Sequence, residues 1–445
     1  MDFMKHFLII FLATISTPGF AQFQIGSRTI TVNDPSRSRD IGCEVYYPAT
    51  SSGNNAPVEN GQFPVIVVGH GFSMGVGAYE NWWTEFVPEG YIFILPTTEV
   101  GPFPFPSHPD FGLDIAFVAL EARGWNTDQS SDFFGKVAER TGLMGHSMGG
   151  GCSFLAAENN PIIDCILGLA PAETNTSAID AAANVTAPTL VFWGTEDEVT
   201  PEAGNALAIY NNSSANCKNY VRIDQGSHCL FAESNFFCDL GETNTGTLTR
   251  EEQHQVSFSL ARPFFEYFLK NDCAAYDELQ DEIATNPDLG TNILDCANDA
   301  PVISDNNGTM ESDLHPNYQW YLNGDEIPNA NQQTHTYTQS GTYQVGTTIL
   351  GNCPTLSNEI IVQITGIIQR EINLSTWGNE IQIGSRDQLN DVRLEWFDIS
   401  GKLIASESIS SVSANQLVTI EKPNFVGVKL LRLSSNQATK TWKLF

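Results

Sequence analysis

The chain has 445 residues, with 52 acidic against 21 basic side chains and a net charge of −31. That length exceeds what one hydrophobic core normally spans and predicts several domains, while a hydrophobic fraction of 41% argues against overall disorder. The charge excludes a general affinity for nucleic acid or for anionic membrane.

Residues 1–21 have the form of a signal peptide. Lys5 and His6 precede an apolar run over 7–13, and Gly19-Phe20-Ala21 resembles a cleavage site. The apolar run is too short to span a bilayer. A secreted or outer-surface protein is expected, in a compartment where the nine cysteines meet oxidant. An odd count leaves at least one unpaired. Cys229 with Cys238, and Cys273 with Cys296, are the bridges suggested by position. No C-x-x-C pair occurs, and no metal or cofactor is expected.

From 22 to 275, strand-like and helix-like runs alternate. Residues 25–32 and 44–47 read as early strands. Phe63-Pro64-Val65-Ile66-Val67-Val68, bounded by Gly69, reads as a buried strand, and so does Tyr91-Ile92-Phe93-Ile94-Leu95 before Pro96. Residues 110–121 have helical spacing. Leu143-Met144-Gly145-His146-Ser147-Met148-Gly149-Gly150-Gly151 then holds G-x-S-x-G. In a nucleophile elbow a strand ends, the chain turns sharply into a helix, and serine sits at the strained tip. Strands are expected at 165–169, 188–194 and 219–223, with a small-residue helix at 177–183 between the first two. A closing amphipathic stretch covers 255–269, interrupted by Pro263. This alternation predicts an α/β domain with a mostly parallel sheet and helices on both faces.

Residues 276–300 read as an acidic, polar linker. Over 301–365 short strands recur, one ending in the turn signal Asn323-Gly324, which predicts a small β-sandwich. A second all-β unit is expected over 366–445, with strands at 394–398, 402–404, 428–433 and 441–445.

Serine needs a base to remove its proton, commonly a histidine held in one tautomer by a carboxylate. The chain offers these in the order Ser147, Asp197, His228, each just after a predicted strand. Glu196 and Glu198 flank Asp197 and are alternatives to it. His254 is the rival to His228 but sits in a helical stretch. His70 and His108 either line the site or support loops. The oxyanion hole needs two backbone N–H groups. Met148 follows the serine, and Phe72 lies in Gly69-His70-Gly71-Phe72-Ser73 after the first buried strand. Phe72 and His146 are the residues expected to touch substrate.

The stretches Val68-Gly69-His70-Gly71-Phe72, Met144 to Gly151, Pro188 to Gly194 with Asp197, and Gly226-Ser227-His228 resemble the α/β-hydrolase superfamily. They are most similar to its secreted branch of bacterial cutinases and polyester hydrolases, with chlorophyllase-like and dienelactone-hydrolase-like relatives. The resemblance implies an α/β-hydrolase fold over 22–275 and a serine carboxylester hydrolase working through an acyl-enzyme. Its substrate would be a soluble ester or a solid polyester. The resemblance departs at Leu169-Ala170-Pro171-Ala172-Glu173, where polyester hydrolases usually carry Trp. Phe72, Trp82, Trp83 and Phe103-Pro104-Phe105-Pro106 are the candidates for a replacement apolar wall.

Trp396-Phe397-Asp398-Ile399-Ser400-Gly401-Lys402 and Gly427-Val428-Lys429-Leu430-Leu431-Arg432-Leu433 resemble type A sorting domains of the Bacteroidota type IX secretion system. That machinery is then an implied partner. Residues 301–365 resemble an immunoglobulin-like module. A monomer is expected. The reading from another class is a surface adhesion protein with an inactive hydrolase domain.

Overall fold

A computed structural model of the protein describes residues 22–243, 245–296, 300–306, 308–348, 353–363, 372–377, 380–421, 423, 429–435 and 439–444. The signal-peptide reading, and Gly427 and Val428 of the sorting-domain motif, lie outside these residues. The chain divides into two compact units. One holds the described residues up to His335 together with Gln344–Glu359, and the other holds Thr336–Tyr343 together with the residues from Ile360 onward. Residues 301–365 are therefore shared between the two.

The first unit is built on a ten-stranded mixed sheet. In chain order its strands are β1 (Gln24–Asp34), β2 (Arg39–Ala49), β3 (Gly53–Asn54), β4 (Phe63–Gly69), β5 (Ile92–Pro96), β6 (Val137–His146), β7 (Cys165–Leu169), β8 (Thr189–Gly194), β9 (Cys217–Ile223) and β10 (Ile293–Cys296). The spatial order is β10-β9-β8-β7-β6-β4-β5-β2-β1-β3. From β5 to β9 all neighbours are parallel. Every residue of β4, β5, β7 and β8 is buried. Strands covered on both faces need such continuous apolar runs, which is why these were readable. β1 and β2 join antiparallel at one flank.

Among the described residues eight α-helices accompany the sheet: α1 (Glu80–Phe86), α2 (His108–Trp125), α3 (Met148–Ala157), α4 (Ala178–Ala182), α5 (Ala206–Asn212), α6 (Phe236–Gly241), α7 (Arg250–Lys270) and α8 (Ala275–Thr285). Ser107 caps α2 and Ser177 caps α4. Thr249 and Glu252 close a capping box at the start of α7. Pro263 does not interrupt α7. It costs one backbone hydrogen bond, but Phe258, Phe264, Phe265 and Phe268 of the same helix are buried in the core, and that burial holds the helix together.

The expected linker at 276–300 is corrected. α8 buries Ala275, Leu279 and Ile283 at helical spacing, and β10 adds to the sheet antiparallel to β9. Polar composition misled here because α8 buries only one face and β10 is an edge strand. The cysteine pairing is corrected too. Cys229 does pair with Cys238, but Cys273 pairs with Cys353 and Cys296 with Cys217. Cys43, Cys152 and Cys165 are free and buried. Burial pushes the Cys43 thiol up to about 12, so it stays protonated and unreactive at neutral pH.

Beyond the large sheet lie small antiparallel sheets. The strand Gln319–Leu322 turns at Asn323 and Gly324, both with positive φ, and pairs back onto Asp325–Glu326. This is the backbone that a two-residue hairpin loop requires. In the second unit, Ile372–Trp377, Glu380–Ser385 and Leu417–Glu421 form one sheet, while Leu403–Val412, Leu389–Asp398, Lys429–Ser434 and Thr439–Leu444 form another. They share a core that includes Ile381, Ile383, Leu394, Trp396 and Leu431.

Candidate active site

β6 lies mid-sheet and delivers the chain into α3 through Ser147. Its φ of 55° and ψ of −121° are strained for a residue with a Cβ. Neighbouring backbone holds the turn. Ser147 N donates to Leu169 O at 3.0 Å, and Ser147 O accepts from Gly151 N at 3.1 Å and Ala172 N at 2.9 Å. The flanking glycines answer to close approach. A Cβ on Gly145 would collide with the carbonyl of Gly149, and one on Gly149 with the carbonyl of Gly69. The start of α3 is thereby seated on the end of β4, so the elbow and the Gly69–Phe72 loop are one packed object.

That loop is fixed by Tyr79. Gly71 N donates to Tyr79 Oη at 2.7 Å, and Tyr79 Oη lies 3.1 Å from His146 Nδ1. His146 Nε2 lies 3.1 Å from His228 O. A carbonyl only accepts, so Nε2 carries the proton, Nδ1 accepts, and the tyrosine hydroxyl donates to it. This chain ties the loop after β4, the elbow and the loop after β9 together. His146 is fully buried within it. It was expected to touch substrate; the structure makes it a brace between loops instead.

The loop after β8 presents Asp197. Its Oδ1 accepts from Val199 N at 2.9 Å and Thr200 N at 2.7 Å. Its Oδ2 accepts from Thr200 Oγ1 at 2.8 Å and lies 2.8 Å from His228 Nδ1. Asp197 and His228 are 6% and 1% exposed. With Nδ1–H donated to the carboxylate, His228 Nε2 is the ring nitrogen left to accept a proton. Glu196 and Glu198 point elsewhere, towards Gln225 and Thr243. His254 lies against Ala232 O and Phe258.

Ser147 is part-exposed, and its hydroxyl makes no hydrogen bond to His228 among the described contacts. Such bonds commonly tighten only when substrate arrives. The amides of Phe72 and Met148 have no protein acceptor among the described hydrogen bonds. Phe72 itself is 43% exposed. Its ring lies 6.5 Å from that of Phe105, which lies 5.1 Å from that of Phe103. These three rings form an exposed aromatic stripe. Trp82 and Trp83 do not join it, because both are buried in the core. His70 is buried with its ring nitrogens on Gly71 O and Thr98 O, and His108 Nδ1 accepts from Asn175 N. Both support loops.

Thr200 and Tyr79 were not anticipated. Thr200 had a faint signal, a hydroxyl residue shortly after the acid. Tyr79 had none, since only the fold brings it to His146.

Burial lowers the basicity of His146 well below the ordinary histidine range, aided by the charge of His228. Burial also lowers His70 and His254. Unfolded, all three would take a proton as pH falls through about 6.5. Folded, they resist until their depressed values, so the unfolded chain binds more protons. Their stabilisation is present above about pH 6.5 and lost as pH falls. The unfolding free energy from urea titrations is expected to drop between pH 7 and pH 5, by about 1 kcal/mol per pH unit for each histidine kept neutral, and the midpoint with it. Glu242 and Glu266, raised by burial, act with the opposite sign. A midpoint that holds steady would contradict the neutral assignment.

Among the described residues no group of His, Cys, Asp or Glu is arranged to hold a metal ion, and no helix is long and apolar enough to cross a membrane.

The family model described as PETase, PET hydrolase-like, matches residues 14–250, just over half of the chain. Cutinase est1 of Thermobifida alba is 27% identical over 190 residues, covering 42% of this chain and 57% of that protein. Cutinase 1 of Thermobifida cellulosilytica is 25% identical over 188 residues, covering 42% and 65%. Bis(hydroxyethyl) terephthalate hydrolase of Streptomyces coelicolor is 26% identical over 189 residues, covering 42% and 55%. The chain thus spans between about half and two thirds of the length of these relatives.

Proposed function

The chain belongs to the PET hydrolase-like family, and from that premise we propose that it is a secreted serine carboxylester hydrolase acting on polyesters. The observation that carries this reading is the buried Asp197–His228 pair, 2.8 Å apart, on loops beside the strained Ser147 turn. In the proposed reaction His228 Nε2 takes the proton of Ser147 Oγ as it attacks the ester carbonyl. The N–H groups of Phe72 and Met148 receive the oxyanion. The imidazolium then gives its proton to the leaving alcohol. Water, activated by the same nitrogen, releases the acid from the acyl-enzyme.

The substrate class rests on the exposed aromatic stripe and on the names of the relatives, which include cutinases and a bis(hydroxyethyl) terephthalate hydrolase. Phe103 and Phe105, 78% and 70% exposed, supply the apolar wall that Ala172 does not. The N-terminal segment would direct export, the last 80 residues would engage the type IX machinery, and residues 301–365 would act as a spacer.

The test measures p-nitrophenyl esters from C2 to C16 beside an aromatic polyester film, with a fluorophosphonate probe on the intact protein. Labelling at Ser147, ester turnover and release from the film support the reading. An unlabelled protein would return the adhesion reading. Replacing Phe103 and Phe105 together by alanine is expected to cut film release about thirtyfold, because each ring contact contributes about 1 kcal/mol. Acetate ester turnover should stay within about twofold, since a small acyl group does not reach the stripe. Equal losses on both substrates would remove the stripe from the substrate path.

A further inference from the structure

The chain makes an excursion directly after His228 and returns to it. Cys229 starts the excursion, α6 forms its tip with no buried residue, and Glu242 ends it. Cys229–Cys238 staples it halfway, with Cα atoms 5.7 Å apart. Arg250 of α7 donates to Cys229 O and Ala232 O and pairs with Asp239 at 3.1 Å. These ties bring the Glu242 side chain beneath the His228 backbone.

There Glu242 is 6% exposed. Its Oε1 accepts from His228 N at 2.6 Å, while its Oε2 accepts from Cys229 N at 2.8 Å and Ser227 Oγ at 3.1 Å. Gln253 of α7 clamps the other side, accepting from Ser227 N and donating to Ser227 O at 2.9 Å each. His228 O is held by His146 and His228 Nδ1 by Asp197. Every polar atom of His228 is therefore tied except Nε2, and one of the ties is a second carboxylate.

We propose that Glu242 is a positioning residue for His228, fixing its backbone and setting a second buried carboxylate, besides that of Asp197, within reach of its charge. This rests on the hydrolase reading above. A carboxylate has about four acceptor sites, and three of those on Glu242 are filled by Ser227, His228 and Cys229, so it is anchored on the segment that carries the proposed base. Burial raises the Glu242 carboxyl above the ordinary range, opposed by the N–H groups of Cys229 and His228 and by the charge of His228. The other groups facing His228 are Asp197 from the loop after β8 and His146 from β6 with Tyr79 behind it, while Arg250 and His254 from α7 reach the following carbonyls of Cys229 and Ala232. Burial, with the charge of Arg250, keeps His146 neutral. Of the groups that favour the imidazolium, Glu242 alone touches the His228 main chain.

The test is histidine-labelled NMR on the full chain, comparing Ser147→Ala with Ser147→Ala/Glu242→Gln and assigning the signal with His228→Gln. The His228 pKa is expected to fall by about half to one pH unit in the glutamine variant, because a stabilising charge is gone. In Glu242→Gln with Ser147 intact, kcat per fluorophosphonate-titrated site should fall about tenfold with KM held, and the acid limb of kcat/KM should move to lower pH. A purely structural role would lower Tm and leave that limb in place. If the glutamine variant does not fold, Glu242→Asp keeps the charge but falls one methylene short. It should lower kcat with the His228 pKa unmoved. An unmoved His228 pKa in the glutamine variant, or a fallen one in the aspartate variant, overturns the proposal. The NMR arm needs no turnover, so a moved pKa in a protein that hydrolyses no ester would sink the hydrolase reading and leave the Glu242–His228 coupling standing.

Discussion

Replacing Ser147 by alanine is expected to lower kcat for ester hydrolysis about a millionfold. The hydroxyl is the atom proposed to bond to the acyl group, and no neighbour can replace it. Met148 and the glycines beside it carry no nucleophile, and Ser153 Oγ is buried and committed to Gly149 O at 2.8 Å. Alanine removes one oxygen and keeps the Cβ, so the turn with φ near 55° and its three backbone hydrogen bonds should survive. KM should therefore change little, and what remains would be the oxyanion donors and binding, about a thousandfold or more over water. Single-turnover assays on p-nitrophenyl butyrate, with circular dichroism as the folding control, decide it. Activity within about tenfold of the parent would remove Ser147 from the reaction.

Asp197→Asn is expected to cost about 10⁴ in kcat, and the arrangement of its donors says why. The Oδ1 side is occupied by the N–H groups of Val199 and Thr200. Those donors would pull the asparagine oxygen to that side and leave the NH₂ facing His228 Nδ1. Nδ1 would then have to accept, the proton would sit on Nε2, and the ring could no longer act as a base. Thr200 Oγ1, 3.1 Å from Nδ1 and free to turn its hydrogen, would accept from the amide and reinforce the wrong tautomer. A loss confined to kcat with Tm near the parent fits this account. A loss below about tenfold would mean that Thr200 or another group orients the ring.

Strands β4, β5, β7 and β8 were legible because every residue in them is buried, and the loops with Phe72 and Asp197 follow two of them. The elbow was legible because Gly145 and Gly149 leave space for a neighbouring backbone. Position after a strand pointed to the loops of Asp197 and His228, but it left Glu196 and Glu198 as alternatives to Asp197, and only the hydrogen bonds separate the three. Contacts that depend on long excursions were not legible. Glu242 is one acid in a polar stretch, distinguished only by where the chain brings it back. Tyr79 and His146 meet across 67 residues. Adjacency to the serine left His146 open to two readings, packing in the elbow or touching substrate, and its full burial fits the first. Pro263, α8 and β10 were misread for one reason: local composition was weighed without the tertiary burial that overrode it.

The pairing of β10 with β9, closed by Cys217–Cys296, bears on where the catalytic unit can be cut. β9 carries the His228 loop, and β10 is its outer neighbour in the sheet. A piece ending at residue 275 would leave β9 with a bare row of N–H and C=O groups and Cys217 with an unshared thiol. Such an open edge is a template for strand exchange between molecules, and the stretch that resembles a tether in composition replaces it with a narrower selvedge, the four residues of β10 including Asp295 in place of the seven of β9.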